Sequence, residues 1–388
     1  MAALNVLNVP RPSWMTEELV ILEEHAARFL EAEFVPHMER WHETGIMERE
    51  FWTKLGEAGL LCAGIPEAWG GAGGSFAHET VINRAFAHAG LHGIGAPLHS
   101  GIVAPYILRY GTQAQKERWL PRLATGELVG AIAMSEPGTG SDLQNVKTHA
   151  KKSGERYVLN GAKTFITNGQ HANLVIVVAK TDTTLGAKGV SLLVVETDDA
   201  PGFRRGRKLK KLGMDWADTS ELFFDDLALP AEQLLGGVEG QGFVQLMNDL
   251  PQERLIVATA AIGMIELALS LTIDYVKERK AFGKAILEFQ NTQFVLAECK
   301  SEATIGSVFH DHCVERHLRG ELDTVTASMA KYWLSDHQNR IVDRCLQLFG
   351  GYGYMDEYPI SRMYRDARVQ PIYAGTNEIM KLLIARSL

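Results

Sequence analysis

Residues 243–276 read FVQLMNDLPQERLIVATAAIGMIELALSLTIDYV. The stretch is long, largely apolar and helical in pattern, and one charged pair, Glu253-Arg254, interrupts it just after Pro251. A carboxylate among Leu, Ile and Val needs a reason. One reason is local: with Leu250 as cap and Pro251 at the first helical position, Glu253 falls third in a helix, where its charge favours the exposed N–H groups. The other is chemical: a carboxylate desolvated in an apolar pocket has a raised pKa and is poised to accept a proton. Local grammar leaves both open.

Outward from this stretch the chain changes character twice. Residues 16–128 read as helices punctuated by Pro36, Gly45, Gly59 and the GGAGG run at 70–74, with Thr16 able to cap a helix running toward Phe34. Helix boundaries are ambiguous around LHSGIVAPYILRYG, which holds Pro97, Gly101 and Pro105, and TQAQKERWLPRL reads as another short helix. From about Leu128 come short β-rich runs: VGAIAMS, RYVLNGAKTFIT, NLVIVVAKT, GVSLLVVET and TSELFFDDL. Asn160-Gly161 signals a two-residue hairpin turn, since both positions tolerate positive φ. The basic GRKLKKLGM reads equally as a solvated edge strand or as a segment near an anionic ligand. After Gly240 the helical period returns: Val295, Cys299 and Ala303 share one face of a helix ending near Gly320, another helix runs from about Asp323 to Phe349, and Thr376 can cap the last.

The resulting fold class is α+β: an N-terminal helical domain (1–127), a middle β-domain of barrel or sandwich type (128–239) and a C-terminal four-helix bundle (240–388). At 388 residues with 46% hydrophobic and 22% charged content, the chain can bury a large core. The balance of 39 basic against 47 acidic residues, a net charge of −8, argues against a general nucleic-acid surface. The four cysteines, Cys62, Cys299, Cys313 and Cys345, form no CxxC pair and read as reduced thiols in helical segments. His310 and His312 fall on different helix faces and read as solvated, so no metal is expected. Glu266, Ser270 and Thr272 break the apolar run at 255–273, so no membrane span is expected. The N-terminus resembles neither a secretory signal nor an organelle presequence, which makes the bacterial cytoplasm the expected compartment, or the mitochondrial matrix for a processed form. No GxGxxG in a βαβ context and no P-loop is present.

Four motifs, AIAMSEPGTGSD (131–142), LPQERLIV (250–257), ERKAFGK (278–284) and QPIYAGTNEI (370–379), occur in the order and spacing of the acyl-CoA dehydrogenase family. Together they most resemble its long-chain branch. The resemblance implies FAD-dependent oxidation of acyl-CoA thioesters, of medium or long chain, to trans-2-enoyl-CoA, with electrons passing to an electron-transfer flavoprotein. Family members place the base either immediately before the Gly-Thr of the C-terminal motif or on the helix that here carries Glu253. The first position is Ala374 in this chain, which has no acid, so the resemblance assigns Glu253; Glu378 resembles a flavin contact instead.

The resemblance also implies substrate contacts at Ser141, Arg254, Ala374 and Gly375, with the backbone N–H at 374 and a ribityl hydroxyl polarising the thioester carbonyl. Flavin contacts are implied at Ile132, Met134, Ser135, Gly140 and Ser141, and along Phe165, Ile166 and Thr167, where Phe replaces the more common Trp. Thr376, Asn377 and Glu378 complete the set within the C-terminal motif. Arg279, Phe282, Gln290, Gln347, Gly350 and Gly351 resemble contacts that often reach a neighbouring subunit's cofactor, which implies a homotetramer, a dimer of dimers. Three other readings remain on the same scaffold: a dehydrogenase for isovaleryl or other branched acyl-CoA, a flavin oxidase or monooxygenase, and a catalytically silent acyl-CoA-binding or assembly protein.

Overall fold

The structure, a computed structural model, describes residues 6–388. Helices α1–α7 (Glu17–Glu33, Met38–Thr44, Glu50–Glu57, Phe76–His88, Ala96–Leu98, Ala104–Tyr110 and Gln113–Ala124) come first. Their starts follow side-chain chemistry: Thr16 accepts from the Leu19 amide, and Ser75-His78 and Thr112-Gln115 close reciprocal capping boxes. The ambiguous run around Gly101 is helical throughout, but a π-turn at His99–Val103 joins α5 to α6. His99 pins that turn. Its Nδ1 accepts from the Gly130 amide at 2.9 Å, so its Nε2 carries the proton donated to the Leu123 carbonyl at 3.0 Å.

Strands β1–β7 (Gly130–Ala133, His149–Ser153, Arg156–Thr167, Leu174–Lys180, Val190–Glu196, Phe203–Lys208 and Thr219–Pro230) form one sheet ordered β1-β4-β2-β3-β7-β6, with β5 on β4. β4 and β5 are buried along almost their whole length, which is why they read as unbroken apolar runs. Asn160-Gly161 does not turn the chain. β3 runs straight through it, the turn between β2 and β3 sits at Gly154, and Asn160-Gly161 marks a register shift against β7. The pair is kept for packing: Asn160 exchanges hydrogen bonds with Asp226, and a Cβ at Gly161 would stand 2.4 Å from Thr148 Oγ1. The basic segment starts in edge strand β6 and leaves it after Lys208, and Lys208 and Lys211 turn inward onto the carbonyls of Asp215 and Ala217.

Helix α8 (Gly242–Glu278) is followed by a hairpin of β8 (Lys280–Ala281) and β9 (Lys284–Ala285), then α9 (Gln290–Leu318), α10 (Thr324–Phe349), α11 (Pro359–Ala367) and α12 (Asn377–Ala385). α8 passes through Pro251 without interruption, so Leu250 is no cap and the helix-start explanation for Glu253 fails. The apolar run of α8 is long enough to cross a membrane, but 78% of its most apolar window is buried inside the protein against α4, α9 and α10, the packing of a core helix. One further expectation is corrected. Cys62 lies in a bend with φ 53° and not in a helix, although all four thiols are free and buried.

One ion cluster fixes α8 against α4. Glu266 accepts from Arg84 Nε at 2.9 Å and His88 Nε2 at 2.7 Å, and pairs with the other Arg84 nitrogen. Burial alone would raise its pKa; the Arg84 charge and the His88 bond outweigh that and bring it to about 2. Removing one partner strands a buried guanidinium, so Glu266→Gln should cost about 3 kcal/mol in urea unfolding at pH 7. Because the folded pKa lies below the unfolded value, the difference should be full above pH 4.5 and shrink as pH falls toward 2.

Candidate active site

Glu253 sits on the face of α8 that meets α6. It is 5% exposed, and the Tyr106 hydroxyl donates to its Oε1 at 2.8 Å. Tyr106 belongs to an apolar cluster that also holds Ile102, Ile132, Leu246 and Ile256, with Met134 packed alongside. Desolvation raises the carboxyl pKa to about 7 against the opposing pull of the Tyr106 bond and the Arg254 charge. Arg254, 3% exposed, donates to Ser328 Oγ at 3.2 Å, but its Nε has no partner; burial brings its pKa down to about 10. A buried guanidinium nitrogen without an acceptor suits a ligand oxygen.

α10 brings the C-terminal motif to the same place. One turn beyond Ser328, the fully buried Lys331 donates to the Gly375 carbonyl at 2.8 Å and to Asn377 Oδ1 at 2.9 Å. Arg254, the neighbour of Glu253, and Gly375, the neighbour of Ala374, thus bond one turn of α10. Ala374 has φ 53° and Gly375 φ 84°, a left-handed pair held by the Lys331 anchor. Thr376 caps α12. The Asn377 side chain is occupied within the protein, bonding Tyr332, Ser335, Asp336 and Lys331, which leaves it nothing to offer a cofactor. Glu378 is exposed in the first turn of α12.

A second rim is built by the loop after β1. The Thr164 amide donates to the Ser135 carbonyl at 2.9 Å, bringing Phe165–Thr167 beside Met134 and Ser135. Phe165 has φ 60° at a register break of β3 on β7, and its ring is 70% exposed. Gly140 and Ser141 are exposed on the same loop, and a Cβ at Gly138 or Gly140 would touch nothing within 4 Å. Ile132 and Ile166 are buried beneath. An outward aromatic face next to exposed hydroxyls and glycine backbone fits a flat cofactor such as FAD. Sequence reasoning missed what holds this loop. The fully buried Lys163 donates to the Met134 carbonyl and to Glu136 Oε1, both at 2.9 Å, while Glu136 accepts the amides of Lys147 and Thr148.

The remaining positions lie elsewhere. Arg279 is at the far end of α8, about 39 Å from Glu253 at 1.5 Å per helical residue. Its guanidinium stands over the Tyr352 ring at 5.4 Å, and Phe282 is 96% exposed on the β8–β9 hairpin with φ 52°. Gln290, Gln347, Gly350 and Gly351 are also exposed. This second cluster cannot touch a ligand held at Glu253 of its own chain. His310, expected to be solvated, is fully buried and bonds Thr259 at 2.8 Å; only His312 is exposed. Among the described residues no group of three or more His, Cys, Asp or Glu side chains could hold a metal ion.

Family profiles match along the chain: acyl-CoA dehydrogenase N-terminal domain over residues 16–127, middle domain over 131–227 and C-terminal domain over 240–388. The long-chain specific acyl-CoA dehydrogenase of Mus musculus, a mitochondrial protein, is 50% identical over 95% of this chain and 86% of its own length. An acyl-CoA dehydrogenase structure from Geobacillus kaustophilus superposes with a TM-score of 0.95 at 50% identity, covering 97% of this chain and 99% of that one. A Mycobacterium smegmatis glutaryl-CoA dehydrogenase in complex with FADH2 superposes with a TM-score of 0.88 at 28% identity, covering 96% and 94%.

The raised pKa of Glu253 gives a stability prediction. Between pH 4.5 and 7 the folded state holds a proton that the unfolded state has released, so wild-type stability falls across that window and is flat above it. Glu253→Gln lacks this slope. Chemical unfolding should show the variant gaining on wild type from pH 4.5 upward, by up to about 3 kcal/mol above pH 7.

Proposed function

Because this chain belongs to the acyl-CoA dehydrogenase family, we propose that it converts medium- or long-chain acyl-CoA thioesters to trans-2-enoyl-CoA, with Glu253 accepting the α-proton. One observation carries this reading: a buried carboxyl poised near neutrality, whose chain neighbour Arg254 bonds the turn of α10 that also anchors the Gly375 backbone. Kinship to a long-chain enzyme at 50% identity supports the chain-length class.

The residues divide the work. Glu253 takes the proton from the carbon next to the thioester, and its dry setting keeps it basic enough at neutral pH to do so. The Ala374 backbone N–H polarises the thioester carbonyl; alanine keeps that donor although it carries no acid. The free Nε of Arg254 and the exposed Ser141 serve the CoA portion. FAD, held by Phe165–Thr167, Ser135 and Gly140-Ser141, supplies the hydride acceptor when bound. An electron-transfer flavoprotein is the onward acceptor.

Arg279, Phe282, Gln290, Gln347 and Gly350-Gly351 serve the cofactor of a second subunit in a homotetramer. Their distance from their own Glu253 supports that role. Domain boundaries fall at 127/128 and 239/240.

Glu253→Gln should leave a yellow, folded protein whose anaerobic flavin bleaching by acyl-CoA slows about 10³-fold or more; near-normal bleaching refutes the assignment. The double variant Glu253→Gly, Ala374→Glu should recover part of the lost rate, since both positions would face one α-carbon. Bleaching screened across straight and branched esters reads the substrate class, and oxygen uptake without added acceptor would mark an oxidase.

A further inference from the structure

The geometry points to Tyr106 as the positioning residue that sets the orientation and the working pH of Glu253. This rests on the reading of Glu253 as the proton acceptor. Tyr106 is fully buried, and among the described residues its hydroxyl is the one hydrogen-bond donor in contact with that carboxylate. Burial, followed by the neighbouring Glu253 charge, pushes the phenol well above its ordinary pKa, so it stays protonated and always donates. One carboxylate oxygen is thereby occupied. Oε2 is left as the atom that takes the proton, and rotation about the last side-chain bond is restrained.

The scaffold holding Tyr106 is built for register. The π-turn before α6 is locked by the two backbone bonds of His99, and its Gly101 carbonyl accepts from Gln252 Nε2 at 2.6 Å, next to Glu253. Gln252 is bound in turn by Arg109 of α6, which also pairs with Asp249, and by His317 of α9 at 3.1 Å. α6 and α8 are therefore stitched together on both sides of the Tyr106–Glu253 bond. A slip of one residue on α6 would take the hydroxyl away. Other titratable groups on the elements packed here are Arg254 and Asp249 on α8, Arg109 and Tyr110 on α6, His317 on α9 and Lys331 on α10. Burial lowers Lys331 to about 7, so a rate profile alone could confuse it with Glu253.

A carboxylate that loses its donor becomes harder to ionise. In Tyr106→Phe the Glu253 midpoint should rise by about one pH unit or more. The measurement is the infrared carboxyl stretch titrated with pH in the holoenzyme, assigned by its loss in Glu253→Gln; Lys331 does not contribute to that band. Anaerobic bleaching by a saturated straight-chain acyl-CoA should slow roughly tenfold at pH 6 and approach wild type above pH 9, as expected for a base displaced upward. Tyr106→Gln, which keeps a donor, should stay closer to the wild-type midpoint, and it covers the case in which the Phe variant does not fold.

An unchanged midpoint in Tyr106→Phe, with a rate profile scaled equally at every pH, would overturn the proposal. So would a Gln variant shifted as far as Phe. Either result, with Glu253→Gln still inactive, leaves the proton-acceptor reading intact. Normal bleaching by Glu253→Gln would remove that reading, and this proposal with it.

Discussion

Dehydration of a single carboxylate is the constraint around which this molecule is arranged. An acid in the interior is tolerated only if it is neutralised, paired or kept protonated. α8 carries both solutions on one helix. Glu266 has Arg84 and His88 and is held at a pKa of about 2; Glu253, with one phenol and the flanking Arg254, is left near 7. The first is a fastener and the second is the base of the proposed reaction, and the difference lies in their neighbours.

That contrast explains why the three parts of the chain must be present together. α6 supplies the phenol, β1 and its loop pack Ile132 and Met134 into the cluster that holds that phenol, and α10 bonds Arg254 and the Gly375 backbone. No one part encloses Glu253. The long helix also separates two surfaces, placing Phe282 and its exposed neighbours at the end remote from the acid.

Much of this was legible in the sequence. Strands β4 and β5, the caps Thr16 and Thr376, the helix running from about Asp323 to Phe349, and the return of helical periodicity after Gly240 all follow local rules, and the structure keeps them. Misreadings came where tertiary packing overrides local preference. Pro251 was absorbed into α8 because the helix is buried on several sides, and Asn160-Gly161 stayed in β3 because Asp226 bonds Asn160 and Thr148 packs where only a glycine fits. His310 was buried by a partner, Thr259, 51 positions away. Tyr106, Lys163 and Lys331 escaped notice for the same reason: each gains its meaning from a contact distant in sequence, and nothing in its immediate neighbours marks it.

The space above Gly138 and Gly140 has one more implication. Neither has the positive φ that favours glycine, and a Cβ on either meets nothing within 4 Å, so the polypeptide itself does not demand glycine there. Larger residues at these two sites would be invisible to the folding equilibrium and would be felt only by an incoming molecule. Selection on that pair, wherever it acts, is selection by the guest and not by the host.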